Sequence, residues 1–224
     1  MRKRELFPTN WCLFIIGPVL LELVGAFRLQ PLVRRQGASS LLRRRETGRE
    51  PLSLLRGAQG EGEDPQFRVG HGYDIHRLAP GLTLTIGGID IPYEKGTEAH
   101  SDGDVVFHSL CDAIFGALSL PDIGQQFPDT DPRWKGAASC VFMEEAFRQM
   151  DERGYRIGNA DVTLILERPK VKDFKPKMVD RICELLRAPH SRVNVKARTH
   201  EKVDSVGESR ALECHVVVVL EKKP

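Results

Sequence analysis

His215-Val216-Val217-Val218-Val219-Leu220 is the stretch that decides how this chain folds. A run this apolar and this β-branched reads as the innermost strand of a sheet, covered on both faces. Working outward, Ala211 to Leu220 forms one strand and Val193-Asn-Val-Lys-Ala197 a second. Asp161-Val-Thr-Leu-Ile-Leu166, inside Tyr155–Arg168, is a third, and Phe67 to about Asp74 a fourth. Leu82 to Pro92 alternates around Gly87-Gly88, a hairpin signal. Helical periodicity appears over Asp104–Leu118, with Val105, Leu110, Cys111, Ile114, Phe115 and Leu118 on one stripe and Ser101, Asp102 and Asp104 as candidate caps. Ala138–Glu152, ended by Gly154, and Lys175–Leu186 are the other two helices. No Gly-X-Gly-X-X-Gly loop interrupts this order, which excludes a dinucleotide fold and a P-loop. The expected fold class is α/β, an α+β sandwich with one mixed sheet and helices packed on one side.

Charge divides the chain. The net charge of +2 combines 11 Lys/Arg and 7 Asp/Glu in residues 1–66 with 22 and 24 in the remainder, which also holds all seven histidines. Residues 67–224 are enough for one domain with a proper core. That domain is mildly acidic and lacks a basic stripe, which argues against nucleic acid as a partner. Cys111, Cys140, Cys183 and Cys214 are far apart and read as small apolar residues in a reducing compartment.

The first 66 residues read as an address. Arg2, Lys3 and Arg4 precede an apolar run from Trp11 to Leu21, stopped by Glu22 and followed by Val24-Gly25-Ala26. The run is short for a bilayer and suits a signal-peptide core, so 1–26 is taken as signal-like. Residues 27–66 carry Arg34-Arg35, Arg43-Arg44-Arg45 and Ser39-Ser40, a transit-peptide composition running into a Gly-rich linker from Gly57. The two parts together resemble the leader of proteins sent to a plastid, such as an apicoplast or a secondary plastid, through the secretory route. The competing reading is a secreted protein with a basic propeptide, which the absence of a disulfide framework disfavours.

Asp74-Ile75-His76 and, further on, His100-Ser101-Asp102-Gly103-Asp104 with His108 carry the chemistry. Residues two apart on a strand share a face, so Asp74 and His76 can grip one ion. His108, one turn into the following helix, can project back to them. Two imidazoles and a carboxylate leave a fourth position open, the pattern of a catalytic zinc. The alternative is a hydrogen-bonded Asp-X-His pair beside an ordinary helical histidine.

These blocks resemble the 2-C-methyl-D-erythritol 2,4-cyclodiphosphate synthase family of non-mevalonate isoprenoid biosynthesis. The resemblance rests on Gly70-His-Gly-Tyr-Asp-Ile-His76, Gly87-Gly88, Ile91-Pro-Tyr-Glu-Lys-Gly96 and Ala99-His-Ser-Asp-Gly-Asp104 with His108. It extends through Asp122-Ile-Gly124, Phe127-Pro-Asp-Thr-Asp131 and Val193-Asn-Val-Lys-Ala197 with Thr199 and Glu201. It implies a phosphorus–oxygen lyase that closes a cyclic diphosphate and releases CMP. A homotrimer with active sites at subunit interfaces is implied too, with a small-molecule substrate, no nucleic acid and no membrane in the mature form.

The resemblance further implies Zn2+, or another divalent transition metal, on Asp74, His76 and His108, and Mg2+ or Mn2+ on Glu201. His100 and Ser101 would position the 2-phosphate and the reacting phosphate. Asp122, Gly124, Phe127, Pro128, Asp129, Thr130 and Asp131 would hold the methylerythritol part. Asp131-Pro132 also reads as a helix cap, so Asp129 and Asp131 could shape the loop instead. Pro169, Lys170, Arg198, Thr199, His200 and Glu201 would meet the cytidine diphosphate arm, with Lys170 and Thr199 on the diphosphate and Arg168 and Lys172 left as solvated charges. Asp104 and Asp112 are either supports for the zinc ligands or exposed helical carboxylates. Where many family members carry Gly-Arg-Gly-Glu, this chain has Gly207-Glu208-Ser209-Arg210, so a trimer-axis anion site does not carry over. Two other functions compete: a zinc-dependent nucleotide-diphosphate phosphohydrolase, and a non-catalytic trimer that binds isoprenoid diphosphates.

Overall fold

A computed structural model describes residues 63–224. The signal-like segment 1–26 and the transit-like stretch up to residue 62 lie outside the described residues. Strands β1 (Phe67–Pro80), β5 (Tyr155–Ile165), β6 (Val193–Arg198) and β7 (Ala211–Lys222), with short β4 (Lys95–Glu98), form one sheet of order β4-β1-β7-β5-β6. Only β5 and β6 run parallel, so the sheet is mixed. Strands β2 (Thr85–Ile86) and β3 (Ile89–Asp90) make the separate hairpin around Gly87-Gly88. The main helices are α1 (Val105–Ala117), α3 (Cys140–Glu152) and α4 (Lys175–Leu186). Single turns α2 (Ile123–Gln126) and α5 (Asp204–Gly207) sit in the connections.

Strand β7 is central, as its valine run predicts. Its cover differs from the expectation. Leu212, Cys214, Val216, Val218 and Leu220 are fully buried under the helices, while Val217 on the other face is 45% exposed. All the main helices lie on one side, so the single chain covers one face. Strand β1 runs past Asp74 because its pairing with β7 continues to Arg77↔Ala211 and β4 then takes over as far as Pro80.

Gly70 and Gly72 let α1 press onto β1. A Cβ on Gly72 would stand 1.9 Å from the Ser109 carbonyl oxygen, and one on Gly70 1.8 Å from that of Ala113. No side chain fits there, so the strand carrying Asp74 and His76 lies directly under the helix carrying His108. Asp104 starts that helix, accepting from the Val106 and Phe107 amides, and also accepts from Gly87 and Gly88 of the hairpin. Cys111, Cys183 and Cys214 are buried free thiols and Cys140 is half-buried, in line with the absence of a disulfide framework. Among the described residues, no helix is long and apolar enough to cross a membrane.

Candidate active site

Asp74, His76 and His108 converge. Asp74 Oδ2 lies 2.9 Å from His108 Nδ1 and 3.1 Å from His76 Nε2, and the two nitrogens are 3.3 Å apart. Donors about 2.0–2.1 Å from one tetrahedral ion stand about 3.3 Å from each other, so this triangle fits a zinc-class ion. It is the one cluster of three such ligands among the described residues. Burial works against the Asp74 charge, but the hydrogen bonds with His108 and His76 outweigh it and hold its pKa well below the usual carboxylate range. Burial likewise disfavours a charged His108, yet its hydrogen bond with Asp74 prevails and raises its pKa. The carboxylate is therefore ionised and ready for a cation.

The far side of His108 is held as well. Its Nε2 lies 2.9 Å from Ser139 Oγ and 3.1 Å from Ser101 Oγ. The Ser139 hydroxyl and amide both donate to Asp102. Ser139 is fully buried at the start of α3, and its pairing with Asp102, one of the candidate caps, is not legible in the sequence because the two are 37 residues apart. Asp104 and Asp112 do not take this part. Asp104 is a fully buried cap whose pKa burial pushes up to about 6. Asp112 is half-buried and accepts from the Ile123 amide at 2.8 Å, which fixes α2. Neither is an exposed helical carboxylate.

A cleft of about 260 Å³ opens beside the metal ligands, lined by His76, His100, Ser101, His108, Ile123, Gly124, Phe127, Asp129, Trp134 and Phe142. The Phe127 ring packs on Phe142 at 4.6 Å and on Trp134 at 5.1 Å, which makes an apolar wall. Asp122 caps α2 through the Gln125 amide, and Asp131 caps the turn Pro132–Trp134 while pairing with Arg133. Asp131 therefore shapes the loop, as the Asp-Pro reading allowed, while Asp129 reaches the cleft.

A second pocket, about 350 Å³, lies at the ends of β5 and β6, lined by Leu166, Pro169, Lys170, Val171, Lys172, Lys175, Ala197, Arg198 and Thr199. Lys172 borders it while staying exposed, as its reading as a solvated charge has it, and half-buried Lys175 lines it as well. Thr199 donates to Glu201 at 2.8 Å on a turn where Glu201 and Lys202 adopt φ of 51° and 61°. His200 pairs with Asp204, a hydrogen bond that raises its pKa. Glu208 and Arg210 pair with each other on the surface.

The two pockets do not meet in one chain. Strands β1 and β6 are separated by β7 and β5, a spacing of roughly 14 Å across three strand steps. The chain thus carries three side chains that could hold a metal ion at one part of a mixed α+β sheet and a basic pocket at another.

The chain belongs to the YgbB family, which it matches over residues 67–221. It is 62% identical over 157 residues to the chloroplastic 2-C-methyl-D-erythritol 2,4-cyclodiphosphate synthase of Oryza sativa subsp. japonica, covering 70% of this chain and 71% of that one. The corresponding synthase of Solibacter usitatus is 50% identical over 157 residues, covering 70% and 99%. Among solved structures, IspF of Plasmodium falciparum in its CDP complex superposes with a TM-score of 0.63 at 35% identity, covering 70% of this chain and 97% of that chain.

Proposed function

We propose that the chain converts 4-diphosphocytidyl-2-C-methyl-D-erythritol 2-phosphate to 2-C-methyl-D-erythritol 2,4-cyclodiphosphate and CMP. The observation that carries this reading is the Asp74–His76–His108 triangle beside an apolar cleft, in a chain whose relatives bear that activity by name. An oxygen of the 2-phosphate attacks the β-phosphorus, and the bond from that phosphorus to the CMP oxygen breaks. The nucleophile is already an anion and the leaving group is a phosphate, so no strong base or acid is needed. The work is to hold like charges together and to stabilise the reacting phosphorus.

Asp74, His76 and His108 would hold a zinc-class ion that acts as a Lewis acid on the phosphate. Glu201 would hold magnesium, an oxygen-seeking ion that would offset the charge of the diphosphate. His100 lines the cleft and would position the 2-phosphate. Ser101, which already faces His108, would contact the reacting phosphate on its remaining side. Ile123, Gly124, Phe127 and Asp129 would enclose the methylerythritol part, with the Phe127–Trp134–Phe142 wall excluding water that would otherwise give a linear product. Lys170, Lys172, Lys175 and Arg198 would offset the diphosphate charge, and Thr199 would donate to it.

The active site would be completed between copies, in a homotrimer. Separate metal and nucleotide halves support this, as does an exposed apolar sheet face bearing Phe67, Val69, Ile75 and Val217. Residues 67–224 would be the catalytic domain, and residues 1–66 a two-part leader to a plastid. The chloroplastic naming of the plant relatives supports the plastid destination.

Phosphorus NMR tests the reaction. Incubation with the substrate and magnesium should give equal amounts of CMP and a cyclic diphosphate, with loss of both on zinc chelation and in His108→Ala. A linear phosphate product would favour a hydrolase instead. A folded, zinc-loaded protein that turned nothing over would point to a binding module.

A further inference from the structure

A second pair of imidazoles lies on the opposite face of the sheet, away from the Asp74 centre. His71 and Asp74 are three residues apart on β1, so their side chains point to opposite faces. His71 Nε2 stands 3.3 Å from His215 Nδ1 across the β1–β7 pair, with ring centroids 5.6 Å apart. The His76–His108 pair of the first centre shows the same 3.3 Å between nitrogens and 5.4 Å between centroids. Two nitrogens about 2.0–2.1 Å from one tetrahedral ion stand about 3.3 Å apart, so the pair has the spacing that two ligands of one ion need.

The pair is rigidly mounted. Ladder partners His71↔Val217 and Tyr73↔His215 fix both backbones in the two central strands. The Tyr73 ring packs on His215 at 4.7 Å, and its hydroxyl donates to Glu213 at 3.1 Å. The β5 residues registered against this part of β7 are Thr163, opposite His215, and Asp161, opposite Val217, so no cation from that strand competes with a bound ion.

We infer that His71 and His215 form a second metal site, a two-imidazole chelate for a divalent transition ion of the zinc, nickel or copper type. Imidazole selects these ions over magnesium and calcium. Two protein ligands leave further positions for water, or for groups of another copy covering this face. The site ties β1 to β7 on the face opposite the reaction and does not depend on the catalytic reading above.

Zinc binding by the full chain, followed by equilibrium dialysis, tests the inference. The unaltered chain should hold one zinc more than either His71→Gln or His215→Gln. In a background of Asp74→Ala with His76→Ala, confirmed as folded by circular dichroism, one zinc should remain per chain. Adding His71→Gln or His215→Gln should then weaken it at least tenfold. Equal zinc content in the unaltered chain and both single variants would overturn the site, whether or not the Asp74 background folds.

Discussion

In the proposed centre His108 would be a ligand at one nitrogen and is a hydrogen-bonding group at the other, and both sides would decide how well it binds metal. Its Nδ1 meets Asp74 and His76, while Nε2 meets Ser139, whose hydroxyl leans on Asp102. With Nε2–H donating to Ser139, the lone pair on Nδ1 faces the ion. Ser139→Ala or Asp102→Asn should therefore lower zinc affinity about 10- to 100-fold with the fold intact, measured by competition with a chromophoric chelator. Unchanged affinity would remove these residues from the account. Acidity should act on the same histidine. The pKa of His108 is raised, so a proton competes with zinc, and affinity should begin to fall with decreasing pH above the ordinary imidazole value of about 6.5. In the metal-free chain the signs oppose. The raised His108 contributes stability that is complete below about 6.5 and is lost as pH rises through its folded value. The lowered Asp74 contributes stability that is complete above about 3.9 and is lost as pH falls. Urea midpoints of the metal-free chain, compared with His108→Gln, should differ most between those two values.

Two elements, β1 and α1, set the distances at the metal centre because nothing stands between them. In Gly72→Ala the new Cβ would meet the Ser109 carbonyl and push the helix outward. That variant should lose about 2–4 kcal/mol by urea unfolding and bind zinc more weakly, because the ligand-bearing elements separate. Removing the four-amide acceptor in Asp104→Ala should cost about 3 kcal/mol and loosen the β2–β3 hairpin from α1. The strands and long helices were legible because their apolar residues repeat at period two or along a helical stripe. The Asp74–His76–His108 cluster was legible because Asp74 and His76 share a strand face. Short pieces such as β4, α2 and α5 carry no period to read. The contact between Asp102 and Ser139 was hidden by their sequence separation, and the two readings of Asp104 and Asp112 are separated only by their burial and the amides they accept from. Lys172 and Lys175 come to the second pocket only because the tertiary fold brings the segment entering α4 to the ends of β5 and β6.

At the scale of the whole molecule, one face of the sheet is left open with Val69 68% exposed and Val217 45% exposed beside it. A charge placed there should block association without touching either pocket. Val217→Glu should sediment as a monomer, keep zinc affinity at the Asp74–His76–His108 cluster, which lies within one chain on the other face of the sheet, and lose turnover. The most direct test of the account is whether the metal centre and the basic pocket of one chain serve different active sites. Chains carrying His108→Ala and chains carrying Lys170→Ala with Thr199→Ala should each be inactive alone. Unfolded together in equal amounts and refolded, they should recover about a quarter of wild-type turnover, since that share of interfaces pairs two intact halves. A mixture as inactive as its parents would place both halves of the site within a single chain and contradict the account.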